Sequence, residues 1–183
     1  MTKEKVKNYT RYPLSNVLIY NGSTILHYVI GGMGIILGYQ LSPAAYTFGA
    51  LYVVFAFVQM YVIMPFVVCP NCVYYRLKDS RCISGLNVLS KKIAKQGKLE
   101  DFPNRGKGLF SHNNMYMASL VIPVAAMIPA LILNFSFLLL AFFLVVLGLL
   151  LFRIFVVFPK IACIYCRAKK KCPNAISMEL QDT

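Results

Sequence analysis

The chain is organised around a stretch that occurs twice, first as Pro65-Phe66-Val67-Val68-Cys69-Pro70-Asn71-Cys72 and again as Pro159-Lys160-Ile161-Ala162-Cys163-Ile164-Tyr165-Cys166. In both copies a Pro is followed four residues later by a Cys, and a second Cys comes three residues after the first. Each copy ends a long apolar run and is followed by basic residues and one further cysteine, Cys82 or Cys172. All six cysteines therefore lie in these two places, and any thiol chemistry is concentrated there.

The composition indicates an integral membrane protein. Of the 183 residues 58% are hydrophobic and only 14% are charged, whereas a soluble domain carries about 25% charged residues. No Lys, Arg, Asp or Glu occurs from Tyr12 to Tyr75 or from Gly108 to Phe152. We predict one all-α membrane domain covering residues 1–183, because this length suits a single domain.

Four apolar stretches predict four transmembrane helices arranged as two tandem hairpins. Each is close to the roughly 20 residues that cross a hydrocarbon core of about 30 Å. The predicted spans are residues 22–41, 45–68, 115–133 and 137–158. Short turns without charge join the helices of each hairpin. In the first span, Gly34 and Gly38 form a small-xxx-small pair, which predicts the close approach of another helix.

The charged residues predict the orientation. Basic residues are concentrated in an N-terminal lead (1–20), a central loop (69–113) and a C-terminal tail (159–183), and these flanks account for the net charge of +13 without nucleic acid. By the positive-inside rule, both termini and the central loop lie in the cytoplasm. Two in-out-in hairpins of the same orientation predict a parallel pseudo-repeat, which would bring both cysteine pairs together.

The central loop contains an apolar stripe at mostly helical spacing, with lysines off the stripe; its members are Ile83, Leu86, Val88, Leu89 and Ile93. This pattern predicts a cytoplasmic amphipathic helix. Such a helix can lie on a bilayer surface and contact anionic lipid headgroups. Alternatively, its apolar face covers the cysteine site, and the two interpretations are compatible.

The cysteine spacing favours a thiolate metal site. Two Cys-x2-Cys pairs can supply four thiolates to zinc or to an iron–sulfur cluster. The predicted metal ligands are Cys69, Cys72, Cys82, Cys163, Cys166 and Cys172. Six thiols exceed the four that zinc needs, so an iron–sulfur cluster is favoured and zinc is the alternative. A reactive dithiol stays open, whereas a reducing cytoplasm disfavours a disulfide framework.

Three polar residues within the spans are candidate cofactor-binding residues: Arg153, Gln59 and His27. Arg153 and Gln59 each lie ten residues before the first cysteine of a pair. We expect Arg153 to snorkel to the cytoplasmic surface. Alternatively, it faces the bundle interior and pairs with a carbonyl, with Gln59 or with a bound anion such as a quinone headgroup. We expect His27 to hydrogen-bond a carbonyl or a neighbouring helix.

These features favour a small membrane electron-transfer or anchor subunit with an iron–sulfur cluster, exchanging electrons with a soluble cytoplasmic partner or a membrane quinone. A zinc-stabilised scaffold without catalysis is the first alternative. A thiol-based metal transporter or a dithiol oxidoreductase is the second. The spans contain no Asp or Glu, which argues against a proton-coupled pump of the usual kind.

Overall fold

A computed structural model of the chain describes residues 8–180, so the first seven residues of the predicted lead and the last three of the tail lie outside it. The described residues form helices and no β-strand. Two isolated bridges connect Tyr9 to Cys166 and Arg11 to Arg81. The predicted all-α class is therefore confirmed for this part of the chain.

Four long helices and three short ones make up the fold. The long helices are α1 (Leu14–Gly38), α2 (Pro43–Phe57), α5 (His112–Leu133) and α6 (Phe137–Phe152). The short helices are α3 (Val73–Arg76), α4 (Leu86–Ile93) and α7 (Pro173–Ser177). Helix α2 continues without a break into a π-helix at Val58–Val68 and a 3₁₀ turn at Cys69–Asn71, and α6 continues into a π-helix at Arg153–Cys163. Further 3₁₀ segments lie at Leu99–Gly106 and Lys169–Lys171.

Three of the long helical segments are long and apolar enough to cross a membrane: Pro43–Asn71, His112–Leu133 and Phe137–Cys163. They correspond to the predicted second, third and fourth spans. Helix α1 differs from the prediction because it begins at Leu14, directly after Pro13, and ends at Gly38. It has 25 residues and contains the polar residues Asn21, Thr24 and His27, and it is not one of these three segments.

Helix α1 packs against α2, α5 and α6. The predicted close approach at its glycines is confirmed, because α5 lies against both. A Cβ added to Gly38 would lie 2.7 Å from the Cβ of Ala130, and one added to Gly34 would meet the sulfur of Met127. At the same end, Gln40 Nε2 donates to Asn134 Oδ1 at 2.6 Å. The two uncharged turns therefore meet at one end of the bundle.

The two copies of the repeated stretch have similar local structure. Each places its proline inside a π-helical segment, Pro65 in the first and Pro159 in the second. Proline lacks an N–H and crowds the preceding turn, and a π-helical segment relieves that crowding by widening the turn. After it, the N–H of Cys72 donates to the carbonyl of Cys69 at 3.1 Å, and the N–H of Cys166 donates to that of Cys163 at 3.1 Å. This likeness is local to the two helix ends.

The predicted amphipathic helix corresponds to α4, which has two different sides. Its inner side buries Leu86, Asn87 and Ser90, and Ser90 Oγ donates to the carbonyl of Pro65 at 2.7 Å. The apolar side chains on its outer side remain exposed; they are Val88, Leu89 and Ile93. The helix therefore packs on the end of α2 and also presents an apolar surface outwards.

Candidate functional site: a cavity lined by six cysteines

All six cysteines line one cavity of about 100 Å³. The first half of the chain contributes Cys69, Cys72 and Cys82, and the second half contributes Cys163, Cys166 and Cys172. The cavity therefore lies where the ends of α2 and α6 meet, at the end of the bundle opposite the two uncharged turns. Cys82 and Cys172 follow the two repeated stretches at different distances, yet they line the same cavity as the other four cysteines.

The loop after α3 fixes the position of Cys82. The N–H of Cys82 donates to Asn87 Oδ1 at 2.9 Å, and its Sγ lies 3.3 Å from Ser84 Oγ. The Asn87 amide donates in turn to the carbonyls of Tyr74 and Ser80 at 3.3 and 3.0 Å. Asn87 is 1% exposed, so its bonds satisfy a buried amide and hold the cysteine at the cavity wall.

A short N-terminal segment, residues 9–12, connects the two cysteine-bearing halves; we call it the N-terminal strap. The N–H of Tyr9 donates to the carbonyl of Tyr165, which lies between Cys163 and Cys166, at 2.9 Å. The N–H of Tyr12 donates to the carbonyl of Arg81 at 2.9 Å. The Arg81 guanidinium returns two bonds to the carbonyl of Tyr12, at 3.0 and 2.8 Å. The strap therefore stabilises the relative placement of the two halves.

The thiols outside the helical spans influence one another electrostatically. Burial is the main cause that raises the pKa of Cys72 to about 12; the thiols Cys82 and Cys172 act in the same direction, and a hydrogen bond from the Tyr74 backbone and the charge of Arg105 oppose them. Burial, followed by the charge of Cys72, raises the pKa of Cys166 well above its usual range. Thiols from both halves thus share one environment, in which burial favours the neutral thiol over the thiolate.

Two cationic side chains line the cavity with the cysteines, Arg105 and Lys169. The Arg105 guanidinium lies 5.1 Å from the centre of the Phe102 ring, and its buried Nε has no hydrogen-bond partner among the residues that the structure describes. Lys169 is 4% exposed, and its Nζ donates to the carbonyl of Ile164 at 3.0 Å. In the sequence, Arg105 is one of several basic residues of the central loop. Its position depends on how the central loop folds back, which no spacing in the sequence indicates.

Arg153 faces the interior of the bundle. The expectation that it snorkels is wrong, because it is 1% exposed and α1 supplies hydrogen-bond acceptors. Its Nη1 donates to the carbonyl of Tyr20 at 3.2 Å and to the hydroxyl of Thr24. The guanidinium carbon lies 4.4, 5.3 and 5.4 Å from the ring centres of Tyr20, Phe158 and Tyr116. Within the described part of the chain, its Nε and Nη2 have no hydrogen-bond partner.

The other two candidate cofactor-binding residues have different partners. Gln59 Nε2 donates to His112 Nδ1 at 2.8 Å and to the His112 carbonyl at 3.2 Å, rather than facing Arg153. His27 Nε2 lies 2.9 Å from the carbonyl of Leu120. Because a carbonyl only accepts, this bond requires the proton of His27 to be on Nε2. His27 therefore bonds a backbone carbonyl of a neighbouring helix, as expected.

The arrangement of the thiols bears on the kind of metal site. Within residues 8–180, no group of three or more His, Cys, Asp or Glu side chains is placed to hold a single metal ion. Tetrahedral zinc requires four ligands about 2.3 Å from one point. The thiolates of an iron–sulfur cluster bind different iron atoms and therefore surround a larger core. The six cysteines are free thiols that line one cavity.

No protein-family model matches the chain, and neither curated proteins nor solved structures give a significant match. The class of protein is therefore defined by its own fold and site. It is a small helical protein with three helices that can cross a membrane, and a cysteine-lined cavity lies at one end of its bundle.

Proposed function

We propose that this chain is a small integral membrane protein that binds an iron–sulfur cluster in the six-cysteine cavity and transfers single electrons at the membrane surface. The observation that carries the proposal is the meeting of thiols from both halves of the chain around one cavity. Iron–sulfur clusters are held by cysteine thiolates. A bound cluster supplies reversible one-electron chemistry, and the protein tunes it through burial, charge and hydrogen bonds.

The described residues have distinct roles in this proposal. The paired cysteines at the two helix ends are the main ligands: Cys69, Cys72, Cys163 and Cys166. Cys82 and Cys172 lie in the same wall and are the additional candidate ligands. Side chains such as Met64, Val68 and Phe158 make the remaining wall apolar and limit access of water. The positive charges of Arg105 and Lys169 favour thiolates over thiols.

We propose that α1 is the fourth transmembrane helix, completing two tandem hairpins. Its 25 residues make it about 37 Å long, which exceeds a hydrocarbon core of about 30 Å. Its polar side chains Thr24 and His27 are buried against the other helices, while Leu18 and Leu26 are exposed. An outward apolar side suits contact with lipid. The predicted parallel repeat would then relate hairpin α1–α2 to hairpin α5–α6.

We propose a cytoplasmic membrane location in which the cysteine end and both termini face the cytoplasm. The basic segments adjoin the cysteine end, and the uncharged turns lie at the other end, as the positive-inside rule requires. At the cysteine end, the outer side of α4 exposes Val88 and Leu89 beside Lys92. This combination suits contact with anionic lipid headgroups.

The proposed electron partner is a soluble cytoplasmic protein with an acidic surface. Exposed lysines surround the cysteine end, and they include Lys95, Lys98, Lys107 and Lys170. A basic surface of this kind steers an acidic partner electrostatically and speeds the formation of an encounter complex. A membrane quinone is the alternative electron partner.

Anaerobic purification in detergent, followed by analysis of iron, acid-labile sulfide and zinc, tests the proposal. We expect iron and sulfide together, with absorption at about 400 nm that dithionite bleaches. The double variant Cys69→Ser/Cys163→Ser should lose the iron, whereas Ser136→Ala, at the opposite end of the bundle, should retain it. Tightly bound zinc without colour would instead support the zinc-stabilised scaffold. A readily exchanged soft metal would support the transporter.

A further inference from the structure

The interior of the helix bundle contains an arginine whose charge has no carboxylate to balance it. The sequence contains no Asp or Glu at residues 5–78 or 102–178, a range that includes all four long helices. Arg153 is buried on the continuation of α6, and two of its guanidinium nitrogens have no hydrogen-bond partner among residues 8–180. A buried charge that lacks part of its hydrogen bonds is costly, so a negative charge nearby would stabilise this position.

Two of the aromatic residues around Arg153 also line the cysteine cavity. Tyr20 and Phe158 both line the cavity, and their ring centres also lie 4.4 and 5.3 Å from the guanidinium carbon. The bond from Nη1 to the Tyr20 carbonyl holds the guanidinium beside the Tyr20 ring. A group in the cavity that touches one of these rings is therefore about 10 Å or less from the charge, given contact distances of about 3.5–4.0 Å.

We infer that Arg153 is the internal countercharge of the cysteine cavity and raises the reduction potential of the cluster bound there. The inference rests on the proposed function. Adding one electron to a cluster adds one negative charge, and a permanent positive charge nearby favours that reduced form. At about 10 Å and an effective dielectric constant of about 20, this interaction changes the reduction equilibrium by about tenfold.

The competing explanation is purely structural, with Arg153 merely joining the end of α6 to α1 through Tyr20 and Thr24. That structural role depends on the hydrogen bonds of Arg153 and not on its positive charge. The two explanations therefore separate when the charge is cancelled and the hydrogen bonds are kept. Thr24 offers this possibility, because its hydroxyl accepts a bond from Arg153 Nη1 and a carboxylate there would accept the same bond.

The experiment is a redox titration of the purified holoprotein, monitored by electron paramagnetic resonance, with iron content measured on each sample. Thr24→Asp cancels the charge in place, and Thr24→Asn is its neutral matched control. Arg153→Met removes the charge, and Arg153→Lys retains it. We expect Thr24→Asp and Arg153→Met to lower the potential by about 59 mV, a tenfold change for one electron. Thr24→Asn, Arg153→Lys and the exposed-charge control Lys170→Met should stay near wild type.

An unchanged potential in Thr24→Asp at full iron content would overturn the inference, even if Arg153→Met fails to fold. An equal decrease in Thr24→Asp and Thr24→Asn would also overturn it, because the effect would then belong to the hydroxyl and not to the charge. Iron and sulfide are measured on the wild type first. Their absence there would contradict the proposed function itself, and that failure is distinct from an unaltered potential.

Discussion

The hydroxyl of Tyr12 donates to the carbonyl of Ala162 at 2.5 Å, although 150 residues separate them. Tyr12 is completely buried, and Ala162 directly precedes Cys163. Burial and then the charge of Cys166 raise the pKa of Tyr12 above its usual range. Tyr12 therefore stays a neutral donor as the pH rises. The N-terminal strap keeps its bond to the continuation of α6 at physiological pH.

Removing this hydroxyl should weaken the cysteine end of the fold. In Tyr12→Phe the carbonyl of Ala162 loses its buried donor, which costs about 1–3 kcal/mol. We expect a lower free energy of unfolding in detergent and faster labelling of the cavity thiols. Tyr46→Phe is the matched control, because Tyr46 is 52% exposed and lies at the opposite end of the bundle. Equal stability and labelling in the two variants would contradict a role for the strap.

Single cysteine changes should distinguish one shared site from two separate ones. If both halves bind one cluster, Cys69→Ser should decrease the iron content of the whole protein towards zero rather than by half. Cys163→Ser, the equivalent change in the second copy, should give the same result. Measuring iron per protein, with Ser136→Ala as control, tests this expectation. A loss of half the iron in each variant would indicate one separate site per hairpin.

The close contact between α1 and α5 predicts a specific sensitivity to added volume. The Cβ of Gly38→Ala would lie 2.7 Å from the Ala130 Cβ, whereas Gly148→Ala, within α6, meets nothing within 4 Å. Overpacking of this kind costs about 1–3 kcal/mol, and we expect that loss in the free energy of unfolding of Gly38→Ala. Gly148→Ala should be neutral or slightly stabilising, since alanine favours helix over glycine. The reverse order of stability would contradict the packing described here.

Local patterns in the sequence were enough to predict much of this fold. Uninterrupted apolar runs predicted the three helices that can cross a membrane, and Gly34 and Gly38 predicted where two helices approach closely. The predicted first span starts at residue 22, later than α1 itself, because the prediction assigns all of residues 1–20 to the basic lead. In fact the last basic residue before the helix is Arg11, and Leu14 follows Pro13 directly into the helix.

The particular partners of Arg153 and Gln59 could not be predicted, because they are distant in sequence. Arg153 bonds to Tyr20 and Thr24 on a helix about 130 residues earlier. An arginine near a helix end usually extends to the interface, and only the position of α1 changes that outcome. Likewise, Gln59 pairs with His112, 53 residues away. Such pairings arise from tertiary packing, and the sequence of one helix does not show which other helix will pack against it.

If the proposed cluster is bound, its loss should destabilise the cysteine end before the rest of the bundle. A ligand that binds only the folded state stabilises it by mass action, and for metal sites this binding energy is part of the folding energy. We expect removal of the cluster with an iron chelator under oxidising conditions to lower the unfolding temperature. Hydrogen exchange should increase first in α4 and the N-terminal strap. Uniform exchange along the chain, including α5, would contradict a local stabilising role.

The orientation of the bundle can be tested with trypsin, because the lysines of the central loop are confined to one end. Lys95 and Lys98 are exposed, whereas the turns at the opposite end contain no Lys or Arg. If the positive-inside rule sets the orientation, trypsin should cleave the central loop in inverted membrane vesicles and spare it in right-side-out vesicles. Permeabilised right-side-out vesicles, the control, should restore cleavage. Cleavage in intact right-side-out vesicles would contradict this orientation and place the cysteine cavity on the outer face. The surroundings there are oxidising, so the six thiols would not be kept reduced.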